Sequence, residues 1–555
     1  MYLNTLFTRL SVLILISFST LSYSQITIQP GWPVFGGLRG TITWNGSVIF
    51  IPNATHQFDV VLRTVDHVLL YNYHGQLLDT LTQNRIGGPL RGLLVPLKSP
   101  QHSIPLIATA TACRGTYASG AETLIVASIE NGEVFNTSFN TRGTIVSPTG
   151  YDVNNDGSDE ILYEADSIYC FRQDGSSYQN FPYRASISDH SGVYTGVSIG
   201  QFTNFSEPVF VYRTIHDIHA RMVGDTIDLP GFPVFCPDSE YSSRPLLIPW
   251  GSGFRIFVSR FNGQNYETSI EGYTDTGDTL FHTRIGANSI VTNLSAIDIE
   301  GDGIPEIVYM AMSARPIVIA MDGHIISDLT PPLGLGGTYS NVVGYRPPGH
   351  QTNWFFTLTS NGPPNSMDTT YLVGCEGYEM LQGFPVALPN TLPDFVILHD
   401  LALCGPINDT LYIMLQDDYE RFTLFRMPMQ GGGVMECQTA CQDFSRTGVY
   451  RPYQVTSVSE PPTLPTDSKL AAYPNPGNAT FTIVGTLPSV KQQSLTIYDL
   501  QGRSVFHAAI PQPTTGSRRF RFVWEGRDQR GIPVASGLYW CRVGAMTPIK
   551  IAVVR

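Results

Sequence analysis

Apolar residues in this chain come in short runs of strand length, broken by Gly, Pro, Asn and Asp, and no stretch of any length keeps a helical period. The runs come in pairs: Asp59-Val-Val-Leu-Arg63 with Val68-Leu-Leu-Tyr71, Glu160-Ile-Leu-Tyr with Ser167-Ile-Tyr-Cys, and Glu306-Ile-Val-Tyr with Ile317-Val-Ile-Ala. After the second run of each pair comes a turn glycine. These glycines recur at Gly75, Gly132, Gly175, Gly224, Gly277, Gly323, Gly377 and Gly431, with a mean spacing of about 51 residues. A second phrase, Gly-aromatic-Pro-Val, appears at Gly31-Trp-Pro-Val34, Gly231-Phe-Pro-Val234 and Gly383-Phe-Pro-Val386, with a weaker copy at Asn180-Phe-Pro-Tyr183. Short β-branched and alternating runs between turn residues predict an all-β chain.

Four strands in about fifty residues match one blade of a β-propeller, where radial repetition leaves only short, protected edges. Eight units can be counted from about residue 31 to 440. Seven blades stay open, because the second unit (about 89–140) is irregular and a ring can close by sharing strands. The reading is therefore a seven- or eight-bladed β-propeller over 25–445, followed by a Pro-rich linker over 446–470 and a small immunoglobulin-like β-sandwich over 471–555. Residues 1–24 have the layout of a secretory signal peptide: Arg9, an apolar run from Leu10 to Phe18, then Ser22-Tyr-Ser24 before Gln25. No later segment is long and apolar enough for a membrane span, so the mature chain is expected to be exported and not integral to a membrane.

Two acidic loops add chemistry to the repeat. Asp152-Val-Asn154-Asn-Asp156-Gly157-Ser158-Asp-Glu160 and Asp298-Ile-Glu300-Gly-Asp302-Gly303-Ile304-Pro-Glu306 place oxygen side chains at positions 1, 3, 5 and 9 and glycine at 6, and both run into an apolar strand. Hard cations take six to eight oxygen ligands, which alternate residues of a tight loop can supply. Asp152, Asn154, Asp156, Ser158 and Glu160, and Asp298, Glu300, Asp302, Ile304 and Glu306, are the two candidate ligand sets for Ca²⁺, each expected to tie two strands of one blade. An EF-hand would need Glu at position 12, where Tyr163 and Tyr309 stand. The counterparts Gly200-Gln-Phe-Thr-Asn204 and Trp250-Gly-Ser-Gly253 have lost the acids. The acid at 9 with a following strand resembles the FG-GAP/VCBS-type repeat of β-propellers, as in the integrin head.

The C-terminal region carries Tyr473-Pro-Asn-Pro476, Ile497-Tyr-Asp-Leu-Gln-Gly-Arg503, Trp524-Glu-Gly-Arg-Asp528 and Ser536-Gly-Leu-Tyr539 in order. This set resembles the sorting domain of type IX secretion cargo and the related FlgD-like immunoglobulin fold. The resemblance implies the type IX machinery as a partner and a secreted or outer-surface location. A generic accessory sandwich is the alternative.

A net charge of −13 argues against a nucleic-acid groove, which needs clustered Lys and Arg. Eight cysteines in an exported chain permit disulfides; Cys437 and Cys441 are close enough for a local one, and Cys170 sits in a strand pattern as a buried thiol. Catalytic signals are weak. Gly196-Val-Ser198-Ile-Gly200 matches the nucleophile-elbow pattern but runs into a strand where a helix is required. His216 and His219 fall on opposite faces of a strand, and Arg63, Arg213, His190 and Tyr212 stand isolated. No aromatic cage or basic cluster stands out. The leading expectation is a non-catalytic, calcium-stabilised binding or adhesion module for an extracellular protein or glycan; the rival is a secreted polysaccharide-degrading lyase or hydrolase on a propeller scaffold.

Overall fold

The structure is a computed structural model. It describes residues 26–35, 47–52, 58–64, 67–82, 90, 92–102, 104–111, 120–128, 132–141, 145–183, 193–214, 216–236, 241–262, 264–265, 267–287, 293–310, 316–328, 340–360, 370–388, 401–416, 421–429, 432–439, 442–443, 445–455, 470–473, 475, 477, 480–486, 494–499, 503–510, 519–543 and 548–554. The expected signal peptide, His190, Cys113 and Cys441 lie outside these residues, and with Cys441 goes the pairing expected for Cys437. The chain divides into two compact units, Met1–Val458 and Ser459–Arg555.

The described residues contain strands and no helix. Among the described residues of the first unit, eight antiparallel sheets follow one another along the chain, and the strand pairs expected from the sequence are the second and third strands of their sheets. The first sheet runs Ser47–Pro52, Phe58–Arg63, His67–Asn72, Leu77–Thr82 in simple up-and-down order. Sheets over 95–141, 149–171, 198–235, 246–287, 295–328 and 343–387 repeat that meander. The eighth is completed from the other end of the unit: Thr27–Ile28 and Val34–Phe35 pair with Arg421–Pro428, in register Thr27↔Arg426 and Val34↔Phe422. The N-terminal strands thus join the last sheet and close the unit by bringing the two ends of the chain segment together.

Packing follows the same circle. One apolar cluster joins the first and second sheets through Ile49, Val61, Ile107 and Ile125. Others join each later pair in turn, and a final cluster puts Ala402, Tyr412, Met414 and Phe422 of the eighth sheet against Val48, Phe58, Val60 and Leu62 of the first. Sheets that bury both faces against their neighbours in a cycle make a β-propeller.

The repeat glycines have one structural role. Gly75, Gly132, Gly175, Gly224, Gly277, Gly323 and Gly377 all have positive φ and follow the third strand of successive sheets, Gly132 as the first residue of the fourth; Gly431 is outside the described residues. Gly31 of the Gly-aromatic-Pro-Val phrase, at φ +92°, packs on the Gly75 turn so closely that a Cβ on it would overlap the His74 carbonyl. Gly231 meets the Thr276–Gly277 turn in the same way. The aromatic–Pro bond is cis in all four copies of the phrase.

The boundary expected at residue 445 is corrected by the structure. Residues 446–455, read as linker, belong to the first unit, and Arg446, Val449 and Tyr450 are buried. Gly433–Cys437 pairs with Val343–Arg346, the first strand of the seventh sheet, and with Tyr453–Val455. Between these, the chain meets the inner strands of the other sheets. Leu403 N donates to Gln438 O (2.8 Å), Gly150 N to Ser445 O (2.9 Å), Ile199 N to Thr447 O (2.9 Å) and Leu247 N to Gly448 O (2.8 Å). Arg446 reaches Ser47 Oγ of the first sheet and Leu94 O beside the second, and Glu436 accepts from Asp298 N beside the sixth. The innermost strand of each sheet presents N–H and C=O groups toward the middle of the ring. Buried, they need partners, and the segment over 433–455 supplies them.

The second unit is a two-layer sandwich. Ala471–Tyr473, Phe481–Thr486 and Arg519–Trp524 form one sheet, and Ser504–Ala509, Ser494–Tyr498, Gly537–Val543 and Ile549–Val553 the other. Phe481, Ile497, Trp524, Tyr539, Cys541 and Val553 fill the space between.

Candidate functional site

Both acidic loops join the first strand of a sheet to the second: Thr149–Tyr151 to Glu160–Glu164 in the third sheet, and Ser295–Ile297 to Glu306–Met310 in the sixth. The decayed counterparts at 200–209 and 250–253 occupy the same position in the fourth and fifth.

The two loops are built alike. Asp152 Oδ2 accepts from Gly157 N at 2.9 Å, and Asp298 Oδ2 from Gly303 N at 3.0 Å. Asp156 Oδ1 accepts from Ser158 N and Asp302 Oδ1 from Ile304 N, each at 2.8 Å. Glu160 Oε2 accepts from Val153 N at 3.1 Å and Glu306 Oε2 from Ile299 N at 2.7 Å. Gly157 and Gly303, at φ +88° and +90°, turn the backbone so that these N–H groups face inward. Asn154 joins the first set through its Oδ1, which accepts from Asp156 N at 2.9 Å.

Burial, reinforced by Asp156 and Asp152 and opposed by the Val153 N–H, pushes the Glu160 carboxyl up to about 7. Burial pushes Glu306 up to about 7 as well, with Asp298, Glu300 and Asp302 adding to it and the Ile299 N–H opposing it. The Ser158 N–H and Asn154 hold Asp156 below the usual carboxylate range.

The surroundings differ. Asp159 ties the first loop to the second sheet, its Oδ2 accepting from Lys98 N at 2.7 Å. The second loop leans on the seventh sheet: Tyr378 donates to Glu300 Oε1 (3.0 Å), Asn353 N donates to Ile299 O (3.0 Å), and Arg346 lies 3.4 Å from Asp298 Oδ2 and 3.8 Å from Glu436. Asp298 Oδ1 is buried and has no hydrogen-bond partner among the described residues.

Oxygen donors and an unsatisfied buried carboxylate oxygen suit a hard cation. Ser158 could ligate through its carbonyl or hydroxyl, Ile304 through its carbonyl alone. Among the described residues, however, no three His, Cys, Asp or Glu side chains converge as a metal-binding group. The carboxylates point instead at the loop N–H groups, so ligation requires them to turn toward a common centre.

Among the described residues weighed for catalysis, Arg63 lies in the first sheet and Ser198, Tyr212, Arg213, His216 and His219 lie in or beside the fourth. Ser198 is fully buried in a strand and donates to Pro245 O at 2.5 Å, so no nucleophile elbow forms. His219 stacks on Tyr212 and contacts Asp228 at 2.8 Å, while His216 lies near Phe235. Arg63 and Arg213 are buried at the ends of strands in the first and fourth sheets. Cys170 is a buried free thiol, as its strand pattern implied.

The structure also assembles what sequence reading missed. Where the eighth sheet meets the first, a cavity of about 290 Å³ is lined by Phe58, Tyr73, Tyr412, Arg426, Gln29 and Asn408 among others. Phe58 packs edge-on against Tyr412 (4.8 Å between ring centroids) and against Tyr73 (6.1 Å). Three aromatic rings from residues 58, 73 and 412 left no local signal.

In the second unit the resemblance motifs have internal partners. Asn475 bonds Lys550 O and Ala552 N at 2.7 and 2.8 Å, Asp499 closes its turn on Arg503 N at 2.9 Å, and Tyr539 donates to Ala535 O at 2.9 Å.

No family model and no curated protein matches the chain. Among solved structures it is similar to the Dos1 propeller, at 9% identity over 72% of this chain and 95% of that one, with a TM-score of 0.42. It is also similar to BBS1N in complex with ARL6DN, at 11% identity over 72% of this chain and 98% of that one, with a TM-score of 0.37. The WD40 domain of SCAP from fission yeast matches at 8% identity over 67% of this chain and 81% of that one, with a TM-score of 0.25. Likeness at these scores carries no argument about function, and the propeller assignment rests on the sheets themselves.

Proposed function

We propose that the chain is an exported, eight-bladed FG-GAP/VCBS-type propeller, stabilised by two Ca²⁺ ions, that serves as a non-catalytic binding or adhesion module at the cell surface or in the medium. The observation that carries the metal reading is the duplicated loop: three matched carboxylate-to-N–H bonds, at the same point of the third and sixth sheets. Asp152, Asn154, Asp156, Ser158 and Glu160 hold one ion, and Asp298, Glu300, Asp302, Ile304 and Glu306 the other. Bound Ca²⁺ would supply positive charge between strands where carboxylates crowd, a structural task rather than a catalytic one.

The C-terminal sandwich, on this reading, is the type IX sorting domain, presenting its ordered motif set to the secretion machinery. The ligand is an extracellular protein or glycan. No specific contact favours the rival polysaccharide-degrading enzyme.

Calorimetric titration of the chelator-treated protein with Ca²⁺ tests the metal reading. Two equivalents of heat, reduced to one by Asp156→Ala or by Asp302→Ala, are expected; no binding heat in the wild type rejects it. A screen against extracellular glycans with product analysis separates the module from the enzyme, since metal-dependent cleavage would favour the latter.

A further inference from the structure

The cavity at the closing seam has a chemistry of its own. Its walls come from the start of the second strand of the first sheet (Phe58), the turn between that sheet's third and fourth strands (Tyr73), and the eighth sheet (Tyr412, Arg426). Asn408 stands on the turn between Leu401–Cys404 and Thr410–Gln416, the position that the acidic loops occupy in the third and sixth sheets. Asn408 and Asp409 both have positive φ, at 49° and 54°, which holds Asn408 at the exposed rim.

Two polar side chains line it. The exposed Arg426 side chain donates from Nε to Thr27 Oγ1 at 3.1 Å and has no carboxylate partner among the described residues. Gln29 is 4% exposed and lines the cavity.

We propose that this cavity binds a single acidic sugar residue, a hexuronic acid carried on an otherwise neutral extracellular glycan. The inference rests on the binding-module reading and names its ligand class. The half-buried Tyr73 ring at the cavity wall offers a surface for the C–H face of a pyranose ring. Amides at Gln29 and Asn408 offer a donor and an acceptor each, which suits hydroxyls that both give and accept. Arg426, with its terminal nitrogens unengaged, matches a carboxylate through two parallel bonds. The volume, near the lower end of ligand pockets, holds one ring and not a chain. A net charge of −13 repels a polyanion, so the ligand carries its acid singly.

Saturation-transfer NMR of the full chain with methyl β-glucuronide and methyl β-glucoside tests this, with N-acetylphenylalanine as a peptide-terminus probe. The glucuronide is expected to bind at about millimolar Kd, and the neutral glucoside about tenfold or more weakly. Arg426→Gln should weaken the glucuronide by about tenfold and leave the glucoside unchanged. Tyr73→Ala should weaken both, with an unaltered melting temperature showing that the seam still folds. Glucuronide binding untouched by Arg426→Gln overturns this cavity as the site while leaving a glycan-binding module standing. Equal binding of both sugars overturns the acidic specificity. No sugar binding, or binding of N-acetylphenylalanine alone, overturns the proposal outright without bearing on a protein-binding module.

Discussion

Arg446 Nη2 donates to Ser47 Oγ at 3.2 Å across 399 residues of chain, tying the segment after the last sheet to the innermost strand of the first. The same guanidinium donates to Thr439 Oγ1 at 2.9 Å and to Leu94 O at 3.4 Å, and no part of Arg446 is exposed. The ring is thus held at its rim by the N-terminal strands and at its centre by this arginine.

Replacing Arg446 with Leu should destabilise the first unit by about 3 kcal/mol, since several buried acceptors lose a charged donor at once. Ser47→Ala should cost about 1 kcal/mol. In a double-mutant cycle the two should couple, because they share one bond. Strict additivity in urea unfolding would show that the bond contributes nothing.

Calcium removal should lower the melting temperature of the first unit. A site saturated at a hundredfold over its Kd adds about 2.7 kcal/mol to stability. Asp156→Ala or Asp302→Ala should remove part of the chelator effect, and the double substitution all of it. Identical melting curves with and without EDTA would falsify the role given to the loops.

Gly31→Ala should be costly for its size. The residue stands at φ +92°, and a Cβ would strike the backbone carbonyl of His74, which cannot swing aside. A loss of about 2 kcal/mol is expected, compounded of left-handed backbone and overlap. The matched control is Gly224→Ala, at φ +93° with nothing within 4 Å of its Cβ. The difference between the two variants in thermal unfolding isolates the overlap, and equal losses would mean the overlap is relaxed.

Deleting residues 471–555 should leave the first unit folded, because the two units have separate cores. On the sorting reading, the truncated protein accumulates in the periplasm. Surface protease accessibility measures this, and equal display of the truncated and full chains would remove the sorting role.

Much of the repeat was legible because its signals are local. A glycine that must hold positive φ between two strands leaves the same mark at Gly75 and at Gly323, whatever surrounds it. The acidic loops were legible for the same reason: positions 1 to 9 of each fold on themselves, so spacing alone locates Asp152 to Glu160 between two strands. The linker was misread at 446–455. Arg446, Thr447 and Gly448 show neither alternation nor a helical period, and a run without pattern reads as solvent-exposed. Their partners are strand edges at Ser47, Gly150, Ile199 and Leu247, which no local pattern announces.

By itself the sequence determined the all-β class, the fifty-residue unit, the positive-φ position at each described repeat glycine and the position of both acidic loops. Each of these depends on contacts within a few tens of residues. Tertiary structure alone decided that Thr27 and Val34 complete the eighth sheet, that Arg446 fills the centre, and that Phe58, Tyr73, Tyr412 and Arg426 share one cavity. Those features exist only once the first and last sheets meet, because ring closure joins chain ends that no local preference brings together.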